Sequence, residues 1–501
     1  MAAGMRPTRG KRRAVVLGIL FLLALAAEGL DCGYWAGRRF FERGGEAFEI
    51  YAVGESTAVG EPYGEKLAPA ALAAEQFGGS IGGRRIRVVM VAERGQSIYP
   101  QSVAFERRLK SRDKRIPGVV LIYSGHNDAG RPYVPPSRFV RLLRAATVRS
   151  ALLRDSQYLA EKWFPFLRLR TMESWEYDLR RIVEMSLQAD LTPILATAVS
   201  NVSGIDPGLS INEVDFEEAR AALDRGGALE SRGRPSEALR YYAAASEVPP
   251  SLRRYIKYRM ARCREALGQY AAAKRFYREV LDAGGPDNFG RASSEQNERL
   301  RALAAEYRIP LADVEHVFEA HSPHDILGDA LFLDGHHPNI EGYRLLAGAY
   351  AAEMSKTFRE PIRRAFASES DCLLRASFNR QDMAAALRKS GRWFFGAAAR
   401  HTYPHQRLAL ARERFTAALG LEPGDYSAWL GLQLVALAER SAVLRDPEGL
   451  AWLGRHQLFY GMRKLLSCDQ LLEIVEKYDG ASAGEALRRR CSSFRTPAGG
   501  R

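Results

Sequence analysis

The chain has little cysteine: Cys32, Cys263, Cys372, Cys468 and Cys491 lie far apart with no C-x-x-C spacing. That excludes a zinc ribbon, a dithiol redox pair and a small disulfide-built scaffold. Of the pairings open to the five, Cys468 with Cys491 is expected first, and one thiol must stay unpaired within a monomer. A long basic stripe with interleaved aromatics is also missing. The net charge is +14, but outside Arg6, Arg9, Lys11, Arg12 and Arg13 the cations alternate with acids, as in Glu217 to Arg220. This is the pattern of solvated helix faces, and no nucleic-acid partner is expected. His321 with His324, and His401 with His405, have no cysteine or carboxylate set at ligand spacing, so neither a metal nor another cofactor is expected.

Long apolar runs are scarce too. The clear one, Ala14 to Ala27, directly follows the basic cluster, the layout of a signal peptide or signal anchor. It is short for a span, which wants ~20 residues, and Ala24-Leu25-Ala26 reads as a cleavage site. Asp31 before Cys32 is a poor lipoprotein signal. The expectation is an uncleaved single-pass anchor in the cell membrane with everything after Gly33 on the extracytoplasmic, periplasmic side, or a secreted protein if the signal is cleaved.

The rest has ordinary globular composition, and 501 residues provide two to four domains at ~100 to 200 residues each. Apolar β-rich stretches alternate with helical ones, which predicts a three-layer α/β/α domain around a parallel sheet. Five strands are expected: Phe48 to Val53, Ile86 to Ala92, Val119 to Tyr123, Pro193 to Ala198 and Ile309 to Val314. In such sheets ligands bind beyond the carboxyl ends of the strands. Between the last two strands lies a helical insertion with a repeat: Gly233 to Tyr242 aligns with Gly268 to Tyr277 at an offset of 35 residues, near the tetratricopeptide period. Ala238 and Ala273 would let helices approach, with Tyr241 and Phe276 filling the groove. Beyond the sheet, Ala411 to Pro423 looks like half of another such unit. The expected organisation is an N-terminal basic segment and anchor or signal (1–35), an α/β domain in two parts (45–210 and 290–360), a tetratricopeptide-like insertion (211–289), a helical C-terminal region (361–495) and a disordered tail (496–501).

Four loops at strand ends carry reactive side chains. Gly54-Glu55-Ser56 places a serine where a helix begins; a serine hydroxyl needs a neighbouring base to become a nucleophile. Asp334-Gly335-His336-His337-Pro338 sets an acid three residues before a histidine, within reach of fixing its tautomer. Tyr123 to Asp128 includes Asn127, whose amide can donate to an oxyanion, and Glu93 to Ser97 includes Gly95, whose N–H can approach the same oxygen. Glu93, Arg94, Tyr99 and Asp128 also border this region but read as ordinary loop residues.

Together these blocks resemble the SGNH, or GDSL-like, hydrolase superfamily: Gly54-x-Ser56, Gly95, Gly125-x-Asn127-Asp128 and Asp334-x-x-His337-Pro338 occur in its order. The resemblance covers residues 48–355 apart from the insertion. It implies a flavodoxin-like α/β/α fold and a catalytic triad of Ser56 as nucleophile, His337 as base and Asp334 as its orienter. It also implies an oxyanion hole from the Ser56 and Gly95 backbone amides with the Asn127 side chain. Glu55 departs from the aspartate usual before the nucleophile, which puts the loop geometry in question. The implied activity is hydrolysis of acyl or acetyl esters of glycans or lipids at the cell envelope. Two alternatives stay open: acyl transfer to or from envelope glycans by the same triad, and a tetratricopeptide scaffold that binds protein segments beside an inactive hydrolase domain.

Overall fold

The computed structural model describes residues 47–128, 172–209, 217–245, 250–284, 290–398 and 403–439, with Val248, His401 and isolated residues between 469 and 491. The apolar run Ala14 to Ala27 lies outside them, as does Cys468. Among the described residues no helix is long and apolar enough to cross a membrane. Cys491 is disulfide-bonded, and Cys263 and Cys372 are free and buried.

The sheet has six strands rather than five, in the order β2-β3-β1-β4-β5-β6. The parallel strands are β1 (Ala47–Gly54), β3 (Arg84–Met90), β4 (Gly118–Tyr123), β5 (Thr192–Ala196) and β6 (Leu311–Ala312). The additional β2 (Ser80–Ile81) runs antiparallel to β3 at the edge. Its cause is local: Gly82 and Gly83 have φ of 56° and 74°, the two left-handed residues of a type I′ hairpin turn, and they pair Ile81 with Arg84.

Apolar side chains of the central strands divide by period two between two cores. Phe48, Ile50, Ala52, Val119, Leu121 and Tyr123 enter one, and Tyr51, Val53, Val120 and Ile122 enter the other. Neither face meets water, so the strands read as unbroken apolar runs. Helices α2 (Pro69–Gln76) and α11 (Ile340–Phe358) cover the first face. Helices α3 (Ile98–Lys110), α4 (Met172–Gln188) and α9 (Ser294–Tyr307) cover the second. The chain leaves β1 toward β3 but leaves β4 toward β5, so the switch point of the sheet lies between β1 and β4, where the binding crevice of such a fold opens.

The insertion forms two helical hairpins, α5 (Glu217–Ser231) with α6 (Pro235–Ala244) and α7 (Pro250–Ala266) with α8 (Tyr270–Asp282). Ala238 and Ala273 are both fully buried, but the groove fillers lie one residue beyond those expected. Tyr242 and Tyr277 are the buried rings, whereas Tyr241 is exposed. Each buried phenol donates to a glutamate twelve residues back: Tyr242 to Glu230 at 2.5 Å and Tyr277 to Glu265 at 2.7 Å. The same contact therefore recurs at the repeat offset. Phe276 is instead overlain by Arg264, at 4.8 Å from the ring centroid.

After α10 (Val314–Ala320) and α11, the C-terminal region folds as α12 (Glu369–Arg375), α13 (Arg380–Ala398), α14 (His405–Leu421) and α15 (Tyr426–Ala438). Phe415 of α14 is its centre: a Cβ added to Gly391 of α13 or Gly431 of α15 would meet the Phe415 ring at 2.9 and 2.4 Å. Three helices thus close on one ring. This region is fastened to the α/β domain by the buried pair Arg407–Asp206, at 2.8 Å, and by Lys66 with Asp382 at 2.6 Å.

Candidate active site

β1 ends at Gly54, whose φ of 151° brings it against β4: a Cβ there would lie 2.1 Å from the Tyr123 carbonyl oxygen. Only glycine fits that approach, and it turns the chain so that Ser56 opens the short helix α1 (Ser56–Val59) at the sheet's switch point. Ser56 Oγ lies 2.8 Å from His337 Nε2, and His337 Nδ1 lies 2.7 Å from Asp334 Oδ2. Residues 281 positions apart in sequence thus share one hydrogen-bonded line.

Asp334 is fully buried. Its Oδ1 accepts the backbone N–H groups of His336 at 2.9 Å and His337 at 2.8 Å, leaving Oδ2 for the ring. Burial alone would raise this carboxyl, but the charge and hydrogen bond of His337, with His336, outweigh it and hold the group below the usual carboxylate range. Its loop is fixed from the segment after β5: Asn201 donates from Nδ2 to the Asp334 carbonyl at 3.0 Å, and its N–H donates to the Gly335 carbonyl at 3.0 Å. Donor atoms of Asp334, His336 and His337 lie within 4.8 Å of one another, but both carboxylate oxygens are already engaged by N–H groups of the two histidines.

Glu55, beside the nucleophile position, is also fully buried. It accepts from Ser124 Oγ at 2.9 Å, the Gly125 N–H at 3.1 Å and the Asn127 N–H at 2.8 Å. The longer acid therefore clamps the β4 loop directly and leaves the serine in place. Burial first and the Asp128 charge second push Glu55 up to about 8, while the three donors pull it back. A carboxyl with a raised folded pKa contributes stability that is complete below its unfolded value and is lost as pH rises through the folded one. The Glu55 contribution to stability should therefore fall as pH rises from about 4.5 to about 8. Urea titrations of wild type and Glu55→Gln across this range should therefore differ in slope, with the variant losing less stability, or gaining more, as pH rises; equal slopes would refute the assignment.

Asn127 Nδ2 donates to the Gln96 carbonyl at 2.8 Å, which sets its amide next to the Gly95 loop. Gly95 itself is exposed with φ of +71°, and a Cβ there would meet nothing within 4 Å. The left-handed φ favours glycine here. The Glu93 N–H donates to the Gly54 carbonyl at 3.3 Å, tying this loop to the nucleophile's turn. Asp128 is buried and accepts the Ile98 N–H at 3.0 Å, so it caps a helix start. Arg94 pairs with the buried Glu61.

His336 lies between two other imidazoles, stacked on His126 at 4.8 Å and tilted against His337 at 4.0 Å by ring centroids. Burial lowers His126 to about 4, and its Nε2 faces the Val199 carbonyl at 2.9 Å. It is a neutral packing group beneath the site. The other histidine pairs do not converge: His324 stacks on Tyr270, His321 bonds its own helix, and His401 is buried against Asp206.

One neighbour had no sequence signal. Trp393 of α13 stacks on His337, with ring centroids 4.6 Å apart and planes at 24°. One turn earlier Lys389 pairs with Glu61, in the turn that follows the Ser56 helix. Nothing in the pattern of α13 distinguishes Trp393 from a core aromatic, because what it faces is set by helix docking.

No protein-family model matches the chain, and no curated protein matches it significantly. Solved structures do. A GDSL-like lipase from Bacteroides thetaiotaomicron is 11% identical at a TM-score of 0.31, with 65% of this chain and 97% of that one covered. A member of the lipolytic protein G-D-S-L family from Veillonella parvula is 15% identical at 0.29, covering 62% and 98%. A catalytic mutant of an acetylxylan esterase from Geobacillus stearothermophilus is 15% identical at 0.30, covering 62% and 95%.

Proposed function

We propose that the chain is a serine esterase of the SGNH type that cleaves acyl or acetyl esters through a covalent acyl-enzyme. The observation that carries this reading is the line Ser56 Oγ, His337 Nε2, His337 Nδ1, Asp334 Oδ2, with steps of 2.8 and 2.7 Å. A hydroxyl hydrogen-bonded to an imidazole whose far nitrogen is held by a buried carboxylate is an activated nucleophile.

In the proposed reaction Ser56 Oγ attacks the ester carbonyl carbon while its proton passes to His337 Nε2. The imidazolium keeps its Nδ1–H on Asp334. Charge on the carbonyl oxygen is met by the backbone N–H groups of Ser56 and Gly95 and by the Asn127 side-chain amide. As the tetrahedral centre collapses, the C–O bond breaks and His337 returns the proton to the leaving alkoxide. Water then attacks the acyl-serine by the same route in reverse. A sugar hydroxyl in place of that water would make the enzyme an acyltransferase on glycans, with no change in the residues involved. The site of action is inferred from sequence: the apolar run Ala14 to Ala27 behind five cations is an export signal, which puts the substrate at the cell envelope.

A fluorophosphonate, which phosphonylates activated serines, tests the reading. It should add one group per chain, recovered on the peptide containing Ser56, with loss of p-nitrophenyl acetate turnover in step. A protein that turns over no ester and remains unlabelled at Ser56 would refute it.

A further inference from the structure

We propose that Trp393, on the C-terminal helix α13, is a positioning residue for the general base, holding the His337 ring and favouring its protonated form. This rests on the triad reading above. The indole lies nearly parallel over the imidazole, at 4.6 Å and 24°. An aromatic face attracts a cation, tryptophan most strongly, and the imidazole becomes a cation when it takes the Ser56 proton. The indole therefore contributes more to the transition state than to the resting enzyme, which is the condition for acceleration. Its own position is fixed on two sides. Phe394 and Phe395, the next residues of α13, are buried in the C-terminal core. Lys389, one turn back on the same helix, pairs with Glu61 and has its Nζ 5.6 Å from the Trp393 ring.

The elements that build the site carry other titratable and charged groups. They are Asp334 and His336 on its own loop, His126 and Asp128 after β4, Glu55 and Glu61 beside the α1 helix, Arg94 after β3, and Lys389 on α13. The Tyr63 and Tyr343 phenols also sense Asp334. A change at Trp393 alone leaves each of these groups in the chain; Lys389 is the one whose charge also lies over the Trp393 ring.

The test is the pH profile of kcat/KM for p-nitrophenyl acetate in the wild type, Trp393→Leu and Trp393→Phe. Where the free base is neutral, losing the indole should lower kcat/KM roughly three- to thirtyfold, the range of a tryptophan–cation contact. The midpoint of the acid limb should move down by about half to one and a half pH units, because the protonated ring has lost its partner. Well below that limb, free enzyme and transition state both carry the imidazolium, so the two profiles should converge. Trp393→Phe should fall between them. A purely structural defect would lower activity by one factor at every pH; that outcome, or an unchanged profile, overturns the proposal. The two readings fail differently. Loss of the proposal alone leaves Ser56-dependent turnover in the wild type, whereas loss of the esterase reading leaves none. In that second case, titration of the His337 ring by NMR in histidine-labelled protein decides the matter. Unchanged titration in Trp393→Leu overturns the proposal, and a downward shift supports it.

Discussion

Ser56→Ala is expected to lower kcat for an activated short-chain ester by about 10⁶-fold, the loss seen when a triad nucleophile is removed. The size follows from what remains. Without Oγ there is no atom to form the acyl-enzyme, and His337 Nε2 loses the hydroxyl 2.8 Å away. Donors for the oxyanion are untouched, so a residual ~10³- to 10⁴-fold advantage over water should persist. The fold should not suffer. Ser56 opens a helix of only four residues with no side-chain cap, and deleting one hydroxyl leaves the Glu55 clamp intact. Initial rates with matched thermal melts provide the check. Wild-type turnover in the alanine variant would remove Ser56 from the reaction.

Asp334→Asn should cost about 10⁴-fold, although it changes one atom's identity and no shape. Oδ1 accepts two backbone N–H groups, from His336 and His337, so an asparagine will turn its carbonyl oxygen that way. Its NH₂ then faces His337 Nδ1, which must become the acceptor. The ring proton moves to Nε2, where it donates to Ser56 and can no longer receive the serine's proton. The base is present in the wrong tautomer. In the wild type Asp334 is held below the usual carboxylate range and stays ionised across the working pH. The acid limb of the wild-type profile should therefore report the imidazole and not the acid. A full-rate Asp334→Asn enzyme would break the assignment of roles.

These expectations show how unevenly the sequence reveals the site. Ser56, Asn127, Asp334 and His337 were legible because each sits in a short block whose neighbours are locally constrained: Gly54 by its approach to β4, Asn127 by a backbone held on Glu55, and the Asp334–His337 spacing by a turn of fixed length. The three middle strands were legible because burial on both faces removes polar residues from them. The edge strand β2 was missed because two residues give no periodicity, although the Gly82-Gly83 pair carried the signal of its hairpin turn. Tyr242 and Tyr277 were missed in favour of their neighbours because adjacent helix positions differ by about a quarter turn, and which aromatic points inward depends on the partner helix. Gly95 was read as a backbone donor to the oxyanion, and its left-handed φ adds a conformational reason for glycine at that position.

Trp393, Lys389 and Asn201 had no motif at all. The sequence by itself determined which polar side chains stand at the strand ends and the order of the α/β elements, because motif spacing and alternation are written in local steric and solvation rules. Only the tertiary structure decided that a C-terminal helix stacks its indole on His337 and pairs its lysine with Glu61. Contacts between elements so far apart in the chain depend on the geometry of helix docking, which no local pattern encodes.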